Sequence, residues 1–249
     1  AKKVAPKKTA SKKVTVKKTA TKAEAPQGIV KPVKKASKKN TVAIFGGTFD
    51  PLHLGHLNSI QTVQKEFQFN MFKIIPAAQS PSRQLTDGPT PEQRLEMLNL
   101  AIDKLGGAFV VDDLEVRRGG VSYTIDTVRE LENPKTEITL IIGLDQFLHF
   151  DKWKDFDELL SKVNLLVTSR PGNDFPKSTS DLPHALAKHV SSFKKNMIQL
   201  KSGHTIQFFQ LEDIEISATE IRKRLRLGEA GSDLIPKEVE LYIRRKGLY

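Results

Sequence analysis

Gly46-Gly47-Thr48-Phe49-Asp50-Pro51-Leu52-His53-Leu54-Gly55-His56 decides the reading of this chain. It follows Thr41-Val42-Ala43-Ile44-Phe45, an apolar, β-branched run that reads as a buried strand, and precedes Leu57–Glu66, which reads as a helix. Two glycines therefore leave a strand tip, and two histidines three apart open a helix. In α/β proteins that junction is where phosphates are held, because outward-pointing N–H groups and the helix dipole favour negative charge there. Gly46 and Gly47 let the backbone approach a ligand with no Cβ in the way. His53 and His56 add two donors of adjustable charge at the same spot. The stretch contains neither G-x-G-x-x-G nor G-x-x-x-x-G-K-[ST], so it is not one of the common nucleotide loops. A glycine turn with incidental surface histidines is the plainer alternative; six histidines in the chain, two of them falling directly after a strand and a glycine pair, argue against it.

The pattern G-G-T-F-D-P-x-H-x-G-H resembles the signature of the HxGH nucleotidyltransferase superfamily, with every fixed position present. The resemblance implies a Rossmann-like domain that transfers a nucleotidyl group from a nucleoside triphosphate, with Gly46, Gly47, Thr48 and Phe49 at the ATP.

The rest of the chain divides in two. Residues 1–40 hold 14 lysines and one acid, Glu24, a balance of +13. Set against the chain's +11, that leaves −2 on residues 41–249, so the pI near 9.7 describes the tail. Lysine pairs at 2–3, 7–8, 12–13 and 17–18 recur every five residues, a period that suits neither a helix face nor a strand face. With Pro6, Pro26 and Pro32 among them and little to bury, the segment is expected to be disordered. Its composition resembles linker-histone tails and fits loose contact with nucleic acid or another polyanion; a solubilising extension is the alternative. The chain has no cysteine, which excludes disulfides and cysteine-based metal sites and fits a cytoplasmic location. No apolar run approaches the roughly 18 residues of a membrane span, and the N-terminus has no apolar core of a secretory signal.

From Thr41 onward strands and helices alternate. Met71–Ile75 reads as a strand. Thr90-Pro91-Glu92-Gln93 opens a helix that runs to about Leu105, with Thr as N-cap, Pro at the first position and Gln at the third. Phe109–Val116 reads as one strand or two short ones, Tyr123–Leu131 as a helix, Glu137–Ile142 and Asn164–Thr168 as buried strands. A helix is expected near Asp181–Ser191, a strand at Thr205–Phe209, and two closing helices at Ala218–Leu227 and Pro236–Arg245. This alternation predicts a parallel sheet with helices on both faces and a ligand site outside the carboxyl ends of its strands.

Ile216-Ser217-Ala218-Thr219-Glu220-Ile221-Arg222 is the second informative stretch. Ser217 and Glu220 read as a capping box, and Arg222 lies one turn into the helix, able to reach an anion at its start. The segment resembles the I-S-x-T-x-x-R motif that closes the triphosphate site in the same superfamily, which implies ATP contacts for Ser217, Thr219 and Arg222. Ser122-Tyr123-Thr124-Ile125-Asp126-Thr127, Gly143-Leu144-Asp145 with Trp153 eight residues on, Ser169-Arg170-Pro171-Gly172 and the ending Tyr242-Ile243…Gly247-Leu248-Tyr249 resemble, in that order, the bacterial nicotinate-nucleotide adenylyltransferases. That resemblance covers about residues 41–249. It implies that Trp153 stacks on a pyridine ring, that Thr124 and backbone N–H groups near Trp153 and Lys154 receive its carboxylate, and that Asp145 faces the acceptor. It also implies catalysis by His53, His56 and Arg222, with ATP and nicotinate mononucleotide as substrates and Mg²⁺ accompanying the ATP. No dedicated metal cluster is visible in the sequence. Where the family usually has P-H-K or P-H-R after the second strand, this chain has Pro81-Ser82-Arg83; the charge is kept at Arg83, and the role of Ser82 is open. Nicotinamide mononucleotide and phosphopantetheine are the alternative acceptors. A polyanion-binding factor acting through the lysine tail is the alternative in another class.

Overall fold

Val42, Ala43 and Ile44 are all buried, as a strand covered on both faces requires, and they lie within the central strand β1 (Asn40–Gly47). The computed structural model describes residues 39–82, 88–169, 172–212, 216–229, 231 and 233–249. All of these fall in one unit, Lys34–Tyr249. The expected tail, Arg83 and Arg170-Pro171 lie outside the described residues, apart from the tail's last two, Lys39 and Asn40.

After β1 the chain forms α1 (Leu54–Phe67), β2 (Met71–Pro76), α2 (Pro91–Ile102), β3 (Phe109–Val111), α3 (Leu114–Arg118) and α4 (Thr124–Leu131). Then come β4 (Thr136–Gly143), α5 (Leu144–Phe147), α6 (Phe156–Lys162), β5 (Asn164–Ser169), α7 (His184–Ala187), β6 (Val190–Lys194), β7 (Met197–Leu200), β8 (Thr205–Gln210), α8 (Ala218–Arg226) and α9 (Lys237–Lys246). The sheet order is β3-β2-β1-β4-β5-β8-β7-β6. From β3 to β8 the pairs are parallel; β8-β7-β6 is an antiparallel extension. Alternate strand residues face opposite layers. Ala43, Ile141 and Leu166 pack with Ile60 of α1, Leu98 of α2, Ile221 of α8 and Ile243 of α9. Ile44, Leu140, Ile142 and Val167 pack with Ile125 and Val128 of α4 and Leu159 of α6. The Rossmann-like expectation of helices on both faces therefore holds.

The chain leaves β1 outward to β2 and β3 and returns on the other side of β1 with β4. The progression of strands reverses between β1 and β4, which opens a crevice at their carboxyl ends. Gly46 and Gly47 sit at that end of β1, and Gly143 at that end of β4.

Three local expectations change. Phe109–Val116 is strand only to Val111: Asp112 pairs with Lys73 at 2.5 Å and accepts the Leu114 N–H at 3.1 Å, which turns the chain into α3. The helix expected near Asp181–Ser191 shrinks to a turn of 3₁₀ helix at Thr179–Asp181 and the four-residue α7, because the chain from Val190 onward pairs with β7. The Thr90/Gln93 capping box forms as expected, but α2 ends at Ile102, ahead of Leu105. Among the described residues no helix is long and apolar enough to cross a membrane.

Candidate active site

A cleft of about 680 Å³ opens at the β1/β4 crevice. Gly46, Gly47, Thr48, Phe49, Asp50 and His56 line one wall, Gly143, Leu144, Asp145 and Gln146 another, and Ala218 and Arg222 of α8 a third. A Cβ on Gly46 would meet nothing within 4 Å, so this glycine leaves the cleft floor open. On Gly143 a Cβ would come within 2.5 Å of the Asp145 carboxylate, so Asp145 keeps its place only because residue 143 has no side chain.

The two histidines cap α1 reciprocally. The His56 N–H donates to His53 Nδ1 at 3.3 Å, and the His53 N–H donates to His56 Nδ1 at 3.3 Å. Since each Nδ1 accepts, the neutral rings carry their proton on Nε2, at the opposite edge. The rings stack with centroids 3.6 Å apart, and Phe49 meets His56 edge-on at 5.3 Å. His56 is half-buried and faces the cleft, while His53 is buried beneath it. The anion-ready helix start read from the sequence is partly occupied by the protein itself. The Leu54 N–H donates to Leu234 O at 2.9 Å, and the His56 N–H is held by His53. Negative charge in the cleft is therefore met by side chains and by the β1–α1 loop more than by the first turn of α1.

Arg222 is buried and spans 172 residues of sequence to reach that loop. Its Nη1 donates to the Asp50 carbonyl at 2.7 Å, and its Nη2 donates to Thr219 Oγ1 at 3.1 Å. The capping box expected at α8 is not formed. Ser217 occupies the cap position without a side-chain cap bond, and Glu220 lies 3.5 Å from Arg224 instead. Ser217 and Thr219 are both exposed beside the cleft.

The residues expected at the acceptor form a second group. Thr124 is the first residue of α4, and Trp153 follows a 3₁₀ turn at Phe150–Lys152. The Trp153 ring leans on Phe150 with centroids 5.0 Å apart. Lys154 joins the two segments: its Nζ lies 3.0 Å from Asp126 and 4.6 Å from the centre of the Tyr123 ring. The Trp153 N–H is committed to the Phe150 carbonyl at 3.0 Å, so the donors expected beside it reduce to the Lys154 amide and the Thr124 hydroxyl. Neither Thr124 nor Trp153 lines the cleft described above, whereas Asp145 does.

Three residues given no role by sequence reasoning belong to this region. Asp50 is buried and accepts the Tyr249 hydroxyl at 2.6 Å. Arg94 is 1% exposed and donates to Thr48 O at 2.6 Å and Ala78 O at 2.9 Å. Burial lowers the Arg94 pKa from its ordinary value, and the Asp50 charge opposes that shift. A signal for Arg94 was present: it heads the apolar stripe Met97, Leu98, Ala101, Ile102 of α2, where a cation needs a buried partner.

The chain matches the family described as cytidylyltransferase-like over residues 44–224. The probable nicotinate-nucleotide adenylyltransferase of Salmonella gallinarum is 37% identical over 218 residues, covering 85% of this chain and 99% of that protein. The nicotinate-nucleotide adenylyltransferase of Salmonella typhimurium is 37% identical over 219 residues, with the same two coverages. Among solved structures, Plasmodium falciparum nicotinic acid mononucleotide adenylyltransferase complexed with NaAD superposes with a TM-score of 0.60 at 16% identity, over 84% of this chain and 96% of that one. A putative nicotinate-nucleotide adenylyltransferase from Vibrio parahaemolyticus gives a TM-score of 0.52 at 20% identity, over 82% and 99%. At those identities the two structures bear on the fold alone.

Proposed function

The chain belongs to the cytidylyltransferase-like family, and within it to the nicotinate-nucleotide adenylyltransferases, and from that premise we propose how its cleft works. The enzyme transfers the adenylyl group of ATP to nicotinate mononucleotide, giving nicotinate adenine dinucleotide and pyrophosphate. The observation that carries the site assignment is the Arg222–Asp50 hydrogen bond, which ties the α8 wall of the cleft to the β1–α1 wall that carries His56.

A phosphate oxygen of the mononucleotide attacks the α-phosphorus of ATP in line. The new P–O bond forms as the bond to the bridging oxygen breaks and pyrophosphate leaves. The attacking phosphate is ionised at neutral pH, so neither a protein nucleophile nor a general base is required. Catalysis is then positioning and stabilisation of charge on the transferring group. His56 donates to the α-phosphate oxygens through Nε2, and His53 holds the His56 ring and supports the same charge. Arg222, with Arg83, grips the β- and γ-phosphates. Ser217 and Thr219 meet the leaving pyrophosphate, while Gly46, Gly47, Thr48 and Phe49 bound the nucleotide. Trp153 stacks on the pyridine ring, Thr124 and the Lys154 amide receive its carboxylate, and Asp145 faces the acceptor. Among the described residues no three His, Asp or Glu side chains gather to hold a metal. Mg²⁺ arriving with the triphosphate would keep most of its own waters and would supply charge neutralisation at the phosphates. A cytoplasmic location accords with the cysteine-free chain.

The test is pyrophosphate release with ATP and nicotinate mononucleotide, nicotinamide mononucleotide or phosphopantetheine. Donors at Thr124 and Lys154 favour a carboxylate over an amide, whose N–H groups would oppose them. The highest kcat/KM is expected with nicotinate mononucleotide. Equal efficiency with either other acceptor overturns the assignment of these residues.

A further inference from the structure

We propose that Tyr249 is a positioning residue for adenylyl transfer, holding the Asp50 carboxylate and through it the loop that carries His53 and His56. The proposal rests on the reading of the cleft as the ATP site. Asp50, 4% exposed, has both its main chain and its side chain engaged. Its carbonyl accepts from Arg222 Nη1 at 2.7 Å, and its Oδ1 accepts the Tyr249 hydroxyl at 2.6 Å. Its Oδ2 stands 3.6 Å from the same Arg222 nitrogen, beyond a good hydrogen bond. Across the loop, Arg94 holds the Thr48 carbonyl. The Asp50 charge thus acts on two buried guanidinium groups, Arg222 and Arg94.

Arg222 serves the triphosphate only while its fork is available to phosphate. A carboxylate that swung onto it would form a bidentate pair and compete directly with ATP. The Tyr249 hydroxyl holds Asp50 Oδ1, so Asp50 hydrogen-bonds Arg222 through its main-chain carbonyl while its carboxylate keeps only a 3.6 Å ion pair to that group. Burial, followed by the Asp50 hydrogen bond and charge, raises the Tyr249 pKa, which keeps the hydroxyl protonated as a donor. The backbone supports the same contact. Gly247 ends α9 at φ +61°, and the Leu248 N–H returns to Ile243 O at 3.1 Å. Tyr249 then takes φ +73°, and Phe49, beside Asp50, takes φ +51°. Non-glycine residues hold such angles only where their surroundings impose them. Here one such angle is at the donor, Tyr249, and the other is at the residue just before the acceptor, Asp50.

The experiment compares Tyr249→Phe, Asp50→Asn and the double variant with the wild type, below the melting temperature of all four. Tyr249→Phe keeps the ring and removes only the donor. Its kcat is expected to fall about tenfold or more, the scale on which misplacement acts, with KM for ATP raised and KM for nicotinate mononucleotide little changed. In the Asp50→Asn background the same substitution is expected to add little, because its effect runs through Asp50. An unchanged kcat, or full additivity of the two substitutions, overturns the proposal. Hydrogen exchange of peptides covering residues 48–54 gives a readout independent of any substrate: Tyr249→Phe is expected to expose those amides, and unchanged protection overturns the proposal. If the wild type does not adenylate nicotinate mononucleotide, the functional reading falls, and the exchange data still decide the role of Tyr249.

Discussion

Gly55 separates the two histidines where a side chain would be tightly crowded. A Cβ would lie 3.1 Å from His53 Nδ1 and 3.2 Å from its Cε1, against the ring that stacks on His56. Gly55→Ala therefore makes the His53 ring give by a few tenths of an ångström, against its hold on the His56 N–H. Turnover is expected to fall by about tenfold or more although Gly55 performs no chemistry, with little change in melting temperature; near-normal turnover would show that the stacked pair is not needed. His56→Ala removes a donor at the transferring phosphate. Loss of one such donor costs about 2.7–4 kcal/mol, or roughly 10²–10³ in kcat, measured with ATP binding retained. Arg222→Lys should raise KM for ATP and lower kcat together, because one ammonium cannot serve both the Asp50 carbonyl and the Thr219 hydroxyl while gripping phosphate. Equal kinetics for Lys and Arg would mean that charge alone suffices there. At this scale the motif histidines and Arg222 were legible, since their spacing is local. The partners of Asp50 were not: Tyr249 lies 199 residues away, and nothing in a linear pattern joins them.

The elements around the site were legible where burial was two-sided. β4 carries Ile138, Leu140, Ile141 and Ile142, all buried, and such runs announce a central parallel strand. β6 is Val-Ser-Ser-Phe-Lys with no fully buried residue, so the antiparallel edge had no comparable signal, and β7 went unread beside it. The strand expected through Val116 stops at Val111, because the Asp112 side chain turns the chain into α3. That short helix yields a pH prediction. Glu115 is buried, accepts Thr127 Oγ1 of α4 at 2.5 Å, and so ties α3 to the helix that begins at Thr124. Burial raises its pKa, against hydrogen bonds from Thr127 and Ser122 and the charge of Arg118. The folded state then binds this proton more tightly than the unfolded one. Its contribution to stability is complete below the unfolded value and is lost as pH rises through the folded value. Glu115→Gln removes that dependence while keeping the shape. As pH rises above the ordinary glutamate range, the variant's melting temperature should therefore gain on the wild type's. A constant gap would mean that Glu115 titrates as an ordinary carboxylate.

On the scale of the whole molecule, charge and catalysis are expected to separate. Residues 1–38 carry 13 lysines and one glutamate, +12 against the chain's +11, which leaves −1 on residues 39–249. The structure sets where a truncation has to stop: Asn40 belongs to β1, stands opposite Thr136 of β4, and donates its N–H to Lys135 O at 2.9 Å. Removing residues 1–38 leaves that strand whole and deletes none of the cleft residues Gly46, His56, Asp145 and Arg222. We propose that the lysine segment contacts polyanions without sequence preference, while turnover belongs to residues 39–249. Full-length protein should bind duplex DNA with log Kd changing by about 0.9 per decade of salt for each phosphate neutralised, and the truncated protein should lose that binding while keeping kcat and KM. DNA binding that survives truncation would place the basic surface on the folded part, where α8 and α9 end in Arg224, Arg226, Arg244, Arg245 and Lys246. Catalysis lost on truncation would instead mean that the lysines reach the triphosphate in the cleft, and the separation of charge from turnover would fail.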